Sequence, residues 1–329
     1  MASSELPVIA LLTAPDEAPP PGLEHLDGQA RINHATSREG LIAAISDADI
    51  LLVTDFRTRI VAAAWPYAQR LQWVHATSAG VDALLFPELI ESSIPVTNAR
   101  GIFDRAIAET VLGMVLFFAK DFRTTLALQQ RHEWRHRETQ RIQDQRALVV
   151  GAGSIGRQIA RLLGAAGMHV DGMASRARSA DQDFAAIHGP ESLYEQLATA
   201  DFVIVAAPLT ASTRGLFDIN AFKAMAGTAK LINIGRGPIV VTPDLINALR
   251  HGEIAAAALD VFEEEPLPPD NPLWEMDNVF ISHHMAGDFI GWRSALTHQF
   301  TANFERWLAG SPLRNIVDKQ RGYVPPEGS

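Results

Sequence analysis

Two hydrophobic patterns alternate along this chain. Short apolar or β-branched runs, VIALLTA (Val8–Ala14), ADILLVT (Ala48–Thr54), LQWVHAT (Leu71–Thr77) and IPVTNA (Ile94–Ala99), have the length and residue types of buried strands. Between them, stretches such as REGLIAAIS (Arg38–Ser46) repeat apolar residues at helical spacing. A long amphipathic stretch follows from about Ala106 to Gln130, and then RHEWRHRETQ, which has no apolar face and reads as a linker or surface arm. The alternation then restarts. RALVVGAGSIG (Arg146–Gly156) is a strand entering a glycine-rich turn, and Ile155, Ile159, Leu162, Leu163 and Ala166 continue it at helical spacing. MHVDGMA (Met168–Ala174), DFVIVAAP (Asp201–Pro208), KLINIG (Lys230–Gly235), IAAAALDVF (Ile254–Phe262) and NVFISHH (Asn278–His284) give five more strands, with helical segments such as Pro243–His251 between them. The pattern predicts two α/β units, each a parallel sheet covered by helices, the second with about six strands.

Composition is consistent with that picture and narrows it. A chain of 329 residues, 47% of them apolar, can fill two cores. The net charge of −10 argues against non-specific nucleic-acid binding and against anionic membranes. With no cysteine, disulfides, thiolate metal sites and cysteine nucleophiles are excluded. The apolar run Val8–Leu12, with no basic residue before it, is too weak for a signal peptide, and Val111–Ala119 is too short to span a bilayer. A cytoplasmic location is the expectation.

Two short motifs compete for the chemistry. His132-Glu133-Trp134-Arg135-His136 matches H-E-x-x-H, in which a helix would put two histidines on one zinc and a glutamate on water. Arg131, Arg135 and Arg137 would crowd a dication there, and no Gly-x-x-His follows, so no metal is expected. Gly151-Ala152-Gly153-Ser154-Ile155-Gly156 is G-x-G-x-x-G between a strand and a helix, the context in which glycines and a helix N-terminus receive a pyrophosphate. An NAD site calls for a carboxylate at the end of the next strand, about 20 residues on. Here that strand ends in Ala174-Ser175-Arg176-Ala177-Arg178, and Asp171 lies about three residues too early. A hydroxyl and two arginines favour a 2′-phosphate, so NADP(H) is favoured and NAD(H) possible.

Three later strand ends are polar: Asn233-Ile234-Gly235-Arg236-Gly237, Leu259-Asp260-Val261-Phe262-Glu263-Glu264-Glu265-Pro266 and Ser282-His283-His284-Met285-Ala286-Gly287. In that order after G-x-G-x-x-G, and with SAGVD (Ser78–Asp82), VTNARG (Val96–Gly101) and AIAETVLGMVL (Ala106–Leu116), they resemble the D-isomer-specific 2-hydroxyacid dehydrogenase family over nearly the whole chain. The cofactor loop is most similar to the NADP-using glyoxylate/hydroxypyruvate reductase branch.

The resemblance implies a small 2-oxo or 2-hydroxy acid substrate and three catalytic residues. Arg236 would bind the substrate's carboxylate and carbonyl oxygen. His284 would protonate that oxygen as hydride arrives. Glu265 would orient His284 and stabilise its imidazolium. The family usually has proline before its catalytic histidine, where this chain has His283; Met285-Ala286-Gly287 sets the register on His284, with His283 as the fallback. Backbone N–H groups of Ala79, Gly80 and Val81 would hold the substrate carboxylate. Gly151, Gly153, Ser154, Ile155 and Gly156 would receive the pyrophosphate, and Ser175, Arg176 and Arg178 the adenosine ribose. Pro208, Ile234 and Asp260 would line the nicotinamide, with Gly235, Arg236 and His284 beside them. Phe56, Arg57, Leu84, Leu85 and Trp292 are candidates to face the substrate's variable group.

The implied fold is two doubly wound parallel-sheet domains, a Rossmann cofactor domain (102–285) inserted in a flavodoxin-like substrate domain (1–101 plus 286–329), with hinges near residues 100 and 286. A homodimer built on the cofactor domains, using the stretch from Ala106 to Gln130, is also implied. The alternatives are a cofactor-sensing, corepressor-like regulator on the same fold, and a formate dehydrogenase, whose histidine is paired with glutamine rather than Glu265.

Overall fold

The computed structural model describes residues 6–55 and 60–325. Contacts divide the chain into a unit formed by both ends, Met1–Phe103 with Phe289–Ser329, and a central unit, Asp104–Asp288. The first segment runs β1 (Val8–Leu12), β2 (Arg31–Ala35), α1 (Arg38–Ile45), β3 (Ile50–Val53), α2 (Ile60–Ala64), β4 (Trp73–Ala76), α3 (Pro87–Glu91) and β5 (Val96–Thr97). The central unit runs α4 (Asp104–Ala119), α5 (Phe122–Gln130), β6 (Arg146–Val150), α6 (Ser154–Ala165), β7 (His169–Met173), β8 (Ile187–His188), α7 (Leu193–Leu197), β9 (Phe202–Val205), α8 (Ile219–Ala224), β10 (Lys230–Asn233), α9 (Thr242–His251), β11 (Ala256–Leu259) and β12 (Val279–Ile281). The terminal unit is completed by α10 (Trp292–Leu308).

The terminal unit's sheet has the order β2-β1-β3-β4-β5, parallel throughout. This is the flavodoxin-like doubly wound order. Both faces of β1 are covered, because successive side chains point to opposite sides. Val8, Ala10 and Leu12 enter one core with Leu41 and Leu51. Ile9 and Leu11 enter another with Trp73 and with Phe300 and Phe304 of α10. Burial on both faces is why β1 and β3 read as continuous apolar runs rather than alternating ones.

In the central unit the order is β12-β11-β10-β9-β6-β7-β8, again all parallel. Counted from β6, this is the Rossmann order 3-2-1-4-5-6 with one strand added. The reversal lies between β6 and β9, at whose carboxyl ends an open sheet forms its ligand crevice. Phe217, Phe222, Val203, Val205 and Leu231 fill one core of this unit.

Two strands escaped the sequence pattern. β2, RINHA, is an edge strand with only Ala35 buried, so its apolar signal is weak. β8, the seventh strand where about six are predicted, has two residues. The stretch Ala106–Gln130 is two helices, because Asp121 takes a left-handed conformation (φ 48°) and its carboxylate caps the second helix through the Thr124 N–H. No helix among the described residues is long and apolar enough to cross a membrane.

Candidate active site

The phosphate turn leaves the end of β6. Gly151 has φ +117°, and a Cβ there would lie 2.6 Å from the Ala206 carbonyl carbon. A Cβ on Gly156 would lie 1.9 Å from the Gly151 oxygen, so α6 packs onto the turn only because that position is bare. Gly153 differs: a Cβ there would meet nothing within 4 Å. The space over Gly153 is open, next to the first residues of α6, whose N–H groups have no partner within the helix. Two glycines close the turn and the third leaves room above it, a cradle suited to a dinucleotide pyrophosphate. The Ser154 hydroxyl is bonded to the Asp104 carboxylate at the start of α4, which leaves the Ser154 backbone N–H as the group it could offer a phosphate.

At the end of β7, Ser175, Arg176 and Arg178 are exposed, and neither guanidinium has a hydrogen-bond or ion-pair partner among the described residues. Asp171 is engaged elsewhere: its carboxylate lies 2.9 Å from Arg146 on β6.

Arg236 follows β10. Asn233 braces the loop on both sides, accepting the Gly235 N–H at 3.1 Å and donating to the Arg236 carbonyl at 3.2 Å. A Cβ on Gly235 would meet the Ala207 oxygen at 2.9 Å, and one on Gly237 would lie 1.8 Å from the Phe262 carbonyl carbon. The glycines on either side of Arg236 therefore let its loop press against the ends of β9 and β11. Ile234, at 7% exposure, is largely buried, and Pro208 beyond β9 is exposed.

The segment after β11 supplies Glu265, and the segment after β12 supplies His284. His284 Nδ1 lies 2.7 Å from one Glu265 oxygen, and the other oxygen accepts the Phe262 N–H at 2.9 Å. Burial works to raise the Glu265 pKa. The His284 hydrogen bond and charge, the Phe262 N–H and the Arg236 charge outweigh it and hold the carboxyl below its ordinary value. Two of the predicted catalytic residues, Arg236 and His284, thus act on the carboxylate of the third, Glu265. The exposed His283 instead lies with its ring 6.2 Å from that of Trp274.

His284 has φ +54°, a left-handed conformation uncommon outside glycine. Asp260 holds it there. The Asp260 carbonyl accepts the His284 N–H at 2.7 Å, and its carboxylate accepts the N–H groups of Met285 (3.0 Å) and Ala286 (3.1 and 3.2 Å). At 2% exposure, the Asp260 side chain is the anchor of the histidine loop. Thr110 on α4 adds a second tether, its hydroxyl donating to the Ala286 carbonyl at 2.9 Å. Sequence reasoning missed Thr110 and Asp104; Thr110 lies in AIAETVLGMVL and Asp104 just before it, a stretch that carries no chemistry until it is folded against the loops.

In the terminal unit, Ser78–Val81 forms a turn pinned by Asn98, whose side-chain amide donates to the Ala79 carbonyl at 2.6 Å. The N–H groups of Ala79, Gly80 and Val81 make no hydrogen bond to the described residues, and Gly80 and Val81 line a cleft with Asp55 and Ser78. Leu84 is buried, and Trp292 packs against Phe103 with ring centroids 6.1 Å apart. Phe56 and Arg57 lie outside the described residues.

HEWRH is not helical. α5 ends at Gln130, His132 has φ +55°, and Glu133 is paired with Arg131 (2.8 Å) and Arg135 (3.2 Å). Among the described residues, no three His, Asp or Glu side chains form a group able to hold a metal ion.

Residues 112–286 match the model of the D-isomer specific 2-hydroxyacid dehydrogenase NAD-binding domain. Glyoxylate/hydroxypyruvate reductase A of Serratia proteamaculans is 33% identical over 262 residues, spanning 77% of this chain and 82% of that protein. Among solved structures, the D-isomer specific 2-hydroxyacid dehydrogenase of Xanthobacter autotrophicus Py2 in complex with NADPH and MES is 32% identical (TM-score 0.83; 96% of this chain, 100% of that one). The NADPH-dependent glyoxylate/hydroxypyruvate reductase of Sinorhizobium meliloti in complex with NADP and sulfate is 28% identical (TM-score 0.83; 97% and 100%). With its phosphate cradle and its arginine, glutamate and histidine on successive strand ends, the chain belongs to the D-isomer specific 2-hydroxyacid dehydrogenase family and is an NAD(P)-dependent dehydrogenase.

Proposed function

We propose that this protein reduces small 2-oxo acids of the glyoxylate and hydroxypyruvate type to D-2-hydroxy acids, with NADPH favoured over NADH. The observation that carries the reading is the 2.7 Å contact between Glu265 and His284, made on a carboxylate that also feels the Arg236 charge. When bound, the nicotinamide supplies the hydride that reaches the carbonyl carbon. The rest falls to this chain's residues. The planar Arg236 guanidinium binds the oxo acid through its carboxylate and carbonyl oxygen and draws electron density toward that oxygen. With Nδ1 held by Glu265, Nε2 is the His284 nitrogen that passes a proton to the carbonyl oxygen. Glu265, kept anionic, stabilises the imidazolium before transfer and fixes the ring plane. In the reverse direction His284 takes the hydroxyl proton.

The reductases of Serratia proteamaculans and Sinorhizobium meliloti support the substrate class. Arg176 and Arg178 at the end of β7, with no carboxylate there, support the cofactor preference. We also infer a homodimer: exposed Phe122, Leu126 and Trp134 lie on α5 and the arm after it, and a second copy would cover them.

The test is a steady-state screen of 2-oxo acids against NADPH and NADH. Turnover of glyoxylate or hydroxypyruvate with NADPH is expected, and His284→Ala should abolish most of the rate while cofactor binding survives. Absence of turnover across a broad panel with both cofactors would remove the reading, and a rate unchanged in His284→Ala would remove the mechanism.

A further inference from the structure

A cluster of charges beyond the β7 arginines takes no part in the steps above. Asp183 is buried, its side chain 1% exposed. It accepts from Arg161 at 2.5 and 3.1 Å and from Arg157 at 2.8 Å. Arg157 also pairs with Asp181 at 2.8 Å. The Asp181 carboxylate closes a tight turn by accepting the N–H groups of Asp183 and Phe184 at 2.9 and 3.1 Å. Phe184, 1% exposed, lies under Arg157 and against Gly172 of β7, where a Cβ would lie 3.0 Å from its ring. Two carboxylates and two guanidiniums balance, so the cluster offers no net charge to a ligand.

Its position gives it a use. Arg157 and Arg161 stand on α6, the helix whose first turn forms the phosphate cradle. The clamped turn leads directly into β8, and β8 pins both ends of the arginine loop. The Ala174 N–H donates to the His188 carbonyl and the Arg178 N–H to the Ile187 carbonyl, each at 2.9 Å. One helix therefore references both the pyrophosphate site and the loop bearing Ser175, Arg176 and Arg178. In a dinucleotide the pyrophosphate and the 2′-phosphate are joined by one ribose, so the spacing between their two sites decides whether both can be engaged.

We propose that Asp183, with Asp181 and Phe184, is a positioning residue for cofactor selectivity, holding the Ser175–Arg178 loop at the distance from α6 that a 2′-phosphate requires. This rests on the NADP(H) reading above. A buried carboxylate held by two arginines is a fixed point for the task, because removing it takes away the carboxylate partner of Arg161 and leaves Arg157 with Asp181 alone.

Adenosine 2′,5′-bisphosphate and 5′-AMP, titrated calorimetrically against the whole protein, isolate the 2′-phosphate contribution without any turnover. The wild type should bind the bisphosphate more tightly, and Arg176→Ala should remove much of that preference. Asp183→Asn should weaken bisphosphate binding about tenfold, the equivalent of one charge-assisted hydrogen bond, and leave 5′-AMP within about twofold. Simple electrostatics has the opposite sign, since removing a negative charge near a phosphate would tighten it. Unchanged or tighter bisphosphate binding in Asp183→Asn, or a parallel loss for both ligands, would overturn the proposal. Arg161→Gln, on the exposed side of the clamp, should act in the same direction and serves if Asp183→Asn does not fold. If the wild type shows no bisphosphate preference, both the cofactor reading and this proposal fall. If Arg176→Ala loses the preference and the clamp variants keep it, only the clamp falls.

Discussion

Replacing Asp260 separates two roles that its position allows. The family resemblance places it near the nicotinamide, while the structure shows it holding the histidine loop. Its carboxylate accepts two N–H groups, from Met285 and Ala286, at 2% exposure. A hydrogen bond to a charged group contributes about 1.5–3 kcal/mol, so Asp260→Ala forfeits roughly 3–6 kcal/mol, less whatever water recovers. His284 also sits at φ +54°, a conformation that costs a non-glycine residue on the order of 1 kcal/mol and persists only while its neighbours enforce it. For a unit of this size each kcal/mol moves Tm by about 2–4 °C, so Asp260→Ala should lower the melting temperature by roughly 6 °C or more. Asp260→Asn is the finer probe. One oxygen serves both Met285 and Ala286, and the second serves Ala286 alone. An amide oxygen can replace the first of these, and the loss should be about 1–2 kcal/mol. Released from the anchor, His284 leaves Glu265 part of the time and kcat falls. Differential scanning calorimetry, kcat and the dissociation constant of the cofactor, measured together, decide the matter. If kcat and Tm fall while cofactor affinity holds, Asp260 acts through the loop. Unchanged Tm and kcat with weakened cofactor binding would refute the anchor argument.

Other expectations are as direct. Gly237→Ala places a Cβ 1.8 Å from the Phe262 carbonyl carbon, so the Arg236 and Glu265 loops must part; urea melts should show a loss of about 1–3 kcal/mol, with kcat/KM for the oxo acid reduced. His75 is fully buried, and burial lowers its pKa to about 3. The unfolded chain, with a histidine near 6.5, binds a proton that the folded one does not. Stability should therefore decline as pH falls from about 6.5 toward 3, by up to about 1.4 kcal/mol per pH unit. His75→Phe keeps a ring beside Trp73 and Phe300 and should flatten that acid limb; an identical slope would show that another group sets it. Trp134, 92% exposed, should weaken the dimer when replaced by alanine, read by sedimentation equilibrium, and a monomeric wild type would refute the inferred assembly.

The sheets were legible where burial covers both faces. β1, β3, β9 and β11 are short apolar runs because helices cover both sides of a parallel sheet. β2 was not legible, because an edge strand with one buried residue in five has no pattern to display. The division of α4 from α5 rests on the backbone of Asp121, a residue that also occurs within helices; its left-handed conformation follows from tertiary placement. β8, two residues long, is defined by its pairing with β7.

Within the site, residue types were readable where one chemical group does one job, and opaque where a residue works through another. Gly235 and Gly237 announce a close backbone approach, and Arg236 between them announces a positioned cation. Asp183 gives no such signal: it is one of two acids in Asp181-Gln182-Asp183, and only the fold puts it under two arginines from a helix twenty-odd residues earlier. The two histidine motifs show the same limit from opposite sides. HEWRH has the spacing of a zinc helix but no helix, since α5 stops two residues before it and Glu133 is taken by arginines. His283 and His284 are identical in type and adjacent in sequence. They are separated by the carbonyl and carboxylate of Asp260, which bend the chain at His284 and leave one imidazole on Glu265 and the other beside Trp274. Which of the two histidines meets Glu265 is decided by hydrogen bonds that Asp260 accepts from the backbone, which is why a variant that alters neither the histidine nor the glutamate, Asp260→Asn, is the sharpest test of how the site is built.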